Sequence, residues 1–102
     1  MTKYTLKLST EFSDMFYTTL LPFKNLSISY INLIHAKIYY FLDIAMYFPY
    51  SFPKFYSPRE TTEVRKIIID KRFLVLYKVT DDVINVVYFV DGRRSYENML
   101  MY

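Results

Sequence analysis

An α+β fold is what this sequence predicts, with two helices gathered on one face of a mostly antiparallel sheet. Three observations lead there. Residues 3–9 alternate between apolar and polar. Residues 10–47 carry apolar side chains at spacings of three and four. From Glu63 onward the period drops to two. Order and periodicity together give one strand, two helices and three strands.

The first strand covers Lys3–Ser9. Tyr4, Leu6 and Leu8 point one way, and Lys3, Thr5 and Lys7 the other, as in a half-buried strand. Ser9 and Thr10 are good helix caps, and Glu11 and Asp14 suit the positive end of a helix. Phe12, Phe16, Leu20 and Phe23 form the apolar stripe of that first helix. Pro22 ends it near Leu20 or kinks it, since proline cannot donate a helical hydrogen bond.

A second helix is expected over Ser27–Tyr47, with Ile31, Ile34, Ile38, Phe41, Ala45 and Phe48 as its buried face. Leu33, Tyr40 and Tyr47 fall on the opposite side, where a surface helix is normally polar. The helix is therefore expected to have apolar neighbours on both sides. His35 lies among apolar positions and reads as a core or partly buried histidine. Phe48-Pro49 stops the helix, and Pro53 and Pro58 keep residues 49–62 irregular.

Three strands follow, Val64–Asp70, Phe73–Thr80 and Val83–Val90, with reversals at Asp70-Lys71 and Asp81-Asp82. On the middle strand Phe73, Val75, Tyr77 and Val79 share one face, and Leu74, Leu76 and Lys78 the other. Both faces are largely apolar, so the sheet is expected to be covered on one side and partly on the other. Asp91-Gly92 breaks the last strand, and residues 93–102 read as a short tail or helix. Residues 1–102 thus form one domain on a four-stranded sheet.

Composition narrows the chemistry. The 102 residues are 53% hydrophobic and 21% aromatic, which excludes classical disorder. The single glycine excludes glycine-rich phosphate loops. With no cysteine and one histidine, cysteine nucleophiles, Cys-ligated zinc and His-x-x-x-His metal pairs all fall away, and no cofactor or metal is expected. The net charge of +3 suits nucleic acid or an acidic protein, and equally an ordinary surface. The first residues show no secretory signal pattern. Ile28–Phe48 contains Lys37 and Asp43, each costing about 2.5–3.5 kcal/mol near a span centre, so no membrane association is expected.

The run Val64-Arg65-Lys66-Ile67-Ile68-Ile69, the hairpin Phe73-Leu74-Val75-Leu76-Tyr77-Lys78-Val79-Thr80-Asp81-Asp82 through Val90, and Gly92-Arg93-Arg94 resemble the RelE/ParE superfamily. Leu42 and Phe48-Pro49 are similar to a Leu…Phe-Pro element of that family near its second helix. These are the toxins of type II toxin–antitoxin modules. The resemblance implies a cytoplasmic growth inhibitor bound by a cognate antitoxin. It also implies one of two activities. RelE-like members cut mRNA on the ribosome with basic residues and often a tyrosine. ParE-like members act on DNA gyrase.

Cleavage by a 2′-hydroxyl needs a base, an acid and cations for the phosphate. The resemblance places the first basic position at Arg65, but the second falls on Ile67. An arginine expected after the aromatic Phe73 falls on Leu74. The closing arginine matches Arg94 or Arg93. The C-terminal tyrosine falls near Leu100, with Tyr96 and Tyr102 close by. A Glu–Arg–His set of the YoeB-like kind fares no better, since His35 lies on the second helix. The incomplete set favours a ParE-like binder, with a RelE-like endoribonuclease and a non-toxic interaction domain as alternatives.

The candidate residues have paired readings. Arg65, Lys66, Arg72, Arg93 and Arg94 are candidates for target or phosphate contact. Arg65, Arg94 and Tyr96 would be catalytic only if the chain is RelE-like. Arg65 is otherwise a strand arginine paired with Glu63, and Arg93 and Arg94 pair with Asp91 or Glu97 or meet an acidic antitoxin segment. Tyr96 is otherwise packing for the tail. Arg59, Glu60 and Glu97 are further groups within reach of unfamiliar roles.

Overall fold

A single residue, Ser9, joins the first strand β1 (Thr5–Leu8) to the first helix α1 (Thr10–Leu20). The structure is a computed structural model that describes residues 3–23, 27–56 and 60–93. The Ser9 hydroxyl accepts from the Phe12 amide at 3.0 Å and caps α1, as expected. Glu11 sits in the first turn, where the helix dipole favours it. Pro22 ends the helix as predicted, inside a 3-10 turn over Leu21–Phe23.

The second helix α2 (Ile28–Tyr47) is capped by the Ser27 hydroxyl, 3.1 Å from the Tyr30 amide. Its fully buried residues are Ile34, Ile38, Leu42 and Ala45, with Ile31 and Phe41 half-buried. Phe48 corrects the expected stripe, being 53% exposed. It is the C-cap residue at φ −133°, where the chain has left the helix and its period no longer applies. Leu42, one turn beyond Ile38, fills the core instead. His35 is exposed rather than buried, its ring 6.1 Å from Phe16 and 4.7 Å from Tyr39.

The strands β2 (Lys54–Phe55), β3 (Val64–Ile69), β4 (Phe73–Thr80) and β5 (Val83–Asp91) complete the sheet. It has five strands, not four, in the order β1-β5-β4-β3-β2. The added strand is β2, antiparallel to β3 within the stretch expected to be irregular. Two residues suffice because Lys66 N–H also reaches the Pro53 carbonyl at 3.0 Å. β1 runs parallel to β5, so the sheet is mixed.

Both reversals occur where the sequence places them. Asp70 and Lys71 have φ of 55° and 56°, and the Arg72 amide donates to the Ile69 carbonyl at 3.1 Å. That is the left-handed geometry hairpins favour, at residue types that tolerate it unevenly: Asp well, Lys less so. Asp81 turns at φ 53° between Thr80 and Val83.

The β4–β5 ladder slips by one residue. Tyr77 pairs with Val86 and Leu76 with Tyr88, leaving Val87 as a bulge. Beyond it the parity of β5 reverses. Ile84, Val86 and Phe89 therefore all face the helices, which simple alternation would not allow. Ser9 stands at the bulge, its amide donating to the Val86 carbonyl at 2.9 Å and its hydroxyl to the Val87 carbonyl at 3.1 Å.

The main core lies between helices and sheet, where Phe12, Phe16 and Phe73 converge on Phe89 at ring distances of 5.2–6.1 Å. A smaller cluster of Val64, Leu74, Leu76 and Val90 lies on the face turned away from the helices. The two-sided apolar β4 is thus accounted for. No helix among the described residues is long and apolar enough to cross a membrane.

Candidate functional site

Arg65 leaves β3 toward the helix side and is absorbed by its surroundings. Its Nε and Nη2 donate to Glu63 Oε2 at 3.1 and 2.9 Å. Nη1 donates to the carbonyls of Tyr50 and Phe52 at 3.1 and 2.7 Å. The guanidinium also stacks 5.1 Å from the Tyr50 ring centroid and is only 13% exposed. Lys54 and Arg65 together hold the Glu63 carboxyl below its ordinary value. A phosphate at this place would have to compete with a carboxylate and two carbonyls already in the fork.

Arg72, in the β3–β4 turn, is equally engaged. Its Nε and Nη2 donate to Asp91 Oδ2 at 3.2 and 3.1 Å. Its guanidinium lies 4.7 Å from the Phe23 ring and 5.0 Å from the Phe73 ring. Asp91 is 6% exposed, and its Oδ1 accepts from the Arg93 amide at 3.0 Å. Burial would raise this carboxyl, but the Arg93 amide and Arg72 outweigh it and hold it below the ordinary carboxylate value. Gly92 closes the corner. Its amide donates to the Arg72 carbonyl at 2.6 Å, and a Cβ there would stand 2.9 Å from that oxygen.

Arg93 is different. Its side chain is 64% exposed, with Nε 3.9 Å from Asp91 Oδ1 as its only carboxylate contact among the described residues. Its own amide anchors it to Asp91, and most of its side chain stands exposed. Lys66 points from β3 to the opposite face, beside Leu76. Among the described residues the predicted cations therefore do not form one patch: Arg65 and Lys66 leave adjacent positions of one strand for opposite faces, and Arg72 and Arg93 occupy the far corner. Arg59, Arg94, Tyr96, Glu97, Leu100 and Tyr102 lie outside the described residues.

The face turned away from the helices carries a trio that the sequence did not single out as a unit. Glu60 Oε2 accepts from Lys78 Nζ at 2.7 Å, and Glu60 Oε1 accepts from the Tyr88 hydroxyl at 3.0 Å. The carboxylate side chain is 13% exposed. Lys66 occupies the neighbouring row, since Lys66 and Tyr88 both pair with Leu76. An open cleft of about 670 Å³ lies beside it, lined by Lys54, Tyr56, Glu60, Thr61, Thr62 and Glu63 among others. A carboxylate, a phenol and an ammonium gathered in this way are the residue types that acid–base chemistry employs, although here the ammonium is paired with the carboxylate. The alternation of Leu74, Leu76 and Lys78 puts Lys78 on this face, but Tyr88 reaches it only because the bulge reverses parity.

Ile67 and Leu74, where the ribonuclease resemblance expects basic side chains, are 1% and 9% exposed in the two apolar clusters. No protein-family model matches this chain, and no curated protein matches it in sequence.

Proposed function

We propose that this chain is the toxin of a type II toxin–antitoxin module and acts in the ParE-like way, by binding a target such as DNA gyrase in the cytoplasm. One observation carries the choice against catalysis. Of the basic positions the ribonuclease pattern requires on β3 and β4, one is engaged internally at Arg65, and two are apolar and buried at Ile67 and Leu74. The strand, the two helices and the antiparallel run β3-β4-β5 support the superfamily, with β2 as an addition, and the exposed Arg93 supplies a cation for a protein or phosphate contact. A cognate antitoxin would neutralise the chain.

The Glu60–Lys78–Tyr88 trio favours a second reading, an mRNA endoribonuclease whose base and acid come from unfamiliar positions.

Induced expression without an antitoxin tests the first claim: growth stops, and unchanged growth refutes toxicity. The mechanism is then separated with purified chain. Inhibition of gyrase with intact mRNA supports target binding, whereas mRNA cut in ribosome-bound samples supports the ribonuclease.

A further inference from the structure

The side of α2 opposite its core carries Leu33, Tyr40 and Tyr47, spaced by seven and exposed by 46%, 65% and 40%. Seven-residue spacing keeps side chains on one narrow stripe of a helix, the geometry of a helix–helix seam. Ala36, between Leu33 and Tyr40, and Ser29, one turn before Leu33, are small and exposed and let a second helix approach. Among the described residues the charges flanking the stripe are Lys37, Asp43 and Lys3, whose Nζ stands 5.3 Å from the Tyr47 ring centroid, and all three are paired within the chain. Lys37 Nζ lies 3.1 Å from Asp70, and Lys3 Nζ lies 3.4 Å from Asp43. Covering the stripe therefore buries no unpaired ion.

We propose that this stripe is a homodimer interface, in which α2 of two copies packs antiparallel about a twofold axis at Tyr40. The sequence is self-complementary about that residue, as a twofold contact requires. Leu33 and Tyr47 stand equally far from Tyr40, so each copy sets Leu33 against Tyr47 of the other. Asp43 comes level with Lys37 of the other copy, whereas a parallel pair would align like charges. At ~200 Å² for a fully exposed large side chain, the three stripe residues offer about 300 Å² per copy, and their flanks must supply the rest of the ~500 Å² per copy at the lower edge for a specific interface. The dimer is accordingly concentration-dependent. This inference does not rest on the proposed function.

The absence of cysteine makes the test direct, because any introduced cysteine is a unique reporter. Sedimentation velocity of the full chain, from about 1 to 200 µM, should show monomer passing into dimer by mass action. Tyr40→Glu should remain monomeric throughout with an unchanged circular dichroism spectrum. Under mild oxidation Tyr40→Cys should cross-link roughly tenfold faster than Asp14→Cys on the exposed side of α1. Leu33→Cys alone should not cross-link, but the Leu33→Cys/Tyr47→Cys double variant should. A monomer at the highest concentration, equal cross-linking of Tyr40→Cys and Asp14→Cys, or ready cross-linking of Leu33→Cys alone overturns the proposal.

Discussion

Arg65 and Tyr77 face each other across β3 and β4, and their side chains together hold three carbonyls of the segment that follows α2. The Tyr77 hydroxyl donates to the Pro49 carbonyl at 2.6 Å, and Arg65 Nη1 donates to the carbonyls of Tyr50 and Phe52. The segment has little regular structure of its own, so these bonds fix the path from α2 to β2. Tyr77→Phe keeps the buried ring and strands the Pro49 carbonyl, for a loss of about 1–2 kcal/mol in chemical denaturation. Arg65→Lys should fail to restore stability, since an ammonium cannot span Glu63 and two carbonyls at once. Equal midpoints for wild type and Arg65→Lys would refute the clamp.

The same tyrosine sets an alkaline limit. Burial, the larger effect, pushes its phenol up to about 12 from an ordinary value of 10.0, with Glu63 adding and Arg65 opposing. In the unfolded chain the phenol ionises near the ordinary value, so the folded state holds the proton longer. Its contribution is complete below pH 10 and is lost as the pH rises toward 12. Tyr30, raised mainly by burial and then by Asp70, acts in the same direction. Denaturation midpoints measured from pH 8 to about 11.5 should fall more steeply for wild type than for Tyr77→Phe.

Acid should act through Asp91. Its carboxyl is held below the ordinary 3.8, so the stability it gives is complete above that value and drains away below it. Asp70, held down by hydrogen bonds from Tyr30 and Lys37, follows the same sign. Arg72→Ala leaves a nearly buried carboxylate with only the Arg93 amide and a distant guanidinium. A loss on the order of 2–3 kcal/mol is expected at pH 7, less than for a fully buried pair because Arg72 is partly exposed. The deficit should shrink toward pH 3 as Asp91 takes up a proton. A deficit independent of pH would assign the loss to the Phe23 and Phe73 stacking instead.

Gly92→Ala should destabilise through space rather than through backbone conformation, since φ at Gly92 is not positive. The new methyl meets the Arg72 backbone oxygen at 2.9 Å, and the hydrogen bond to that oxygen must lengthen. About 1–2 kcal/mol is expected. Faster hydrogen exchange at the Gly92 amide should accompany it, and unchanged exchange there would count against this account.

These residues also show what a reader of the sequence can reach. Ser9, Pro22, Ser27 and the Asp-led turns act through neighbours within four residues, so the caps, helix ends and reversals are legible. β2 is not, because two strand residues carry no period and depend on Val64 and Arg65, ten or so positions on. The bulge at Val87 is hidden for a related reason. It is a property of the ladder, and it brings Tyr88 beside Val87 onto the face that carries Leu76 and Lys78. The paired reading of Arg65 could not be settled from spacing, since two of its acceptors are backbone carbonyls that any sequence offers.

The Glu60–Lys78–Tyr88 trio separates the two mechanisms by mutation. Glu60→Gln and Tyr88→Phe conserve shape while removing a base and a hydroxyl donor, and Lys78→Met removes the cation. If the trio performs phosphodiester cleavage, each variant should lower ribosome-dependent mRNA cleavage by about 10²-fold or more, the usual weight of a general acid or base. Growth arrest should fade in parallel. If the chain arrests growth by binding its target, these variants should arrest growth as wild type does, with at most about 1 kcal/mol of lost stability. Arg93→Glu should then weaken inhibition of the target, because it reverses an exposed cation without disturbing the Asp91 bond to its own amide. Arrest that survives Arg93→Glu but fails in Tyr88→Phe would transfer the function from the arginine corner to the trio.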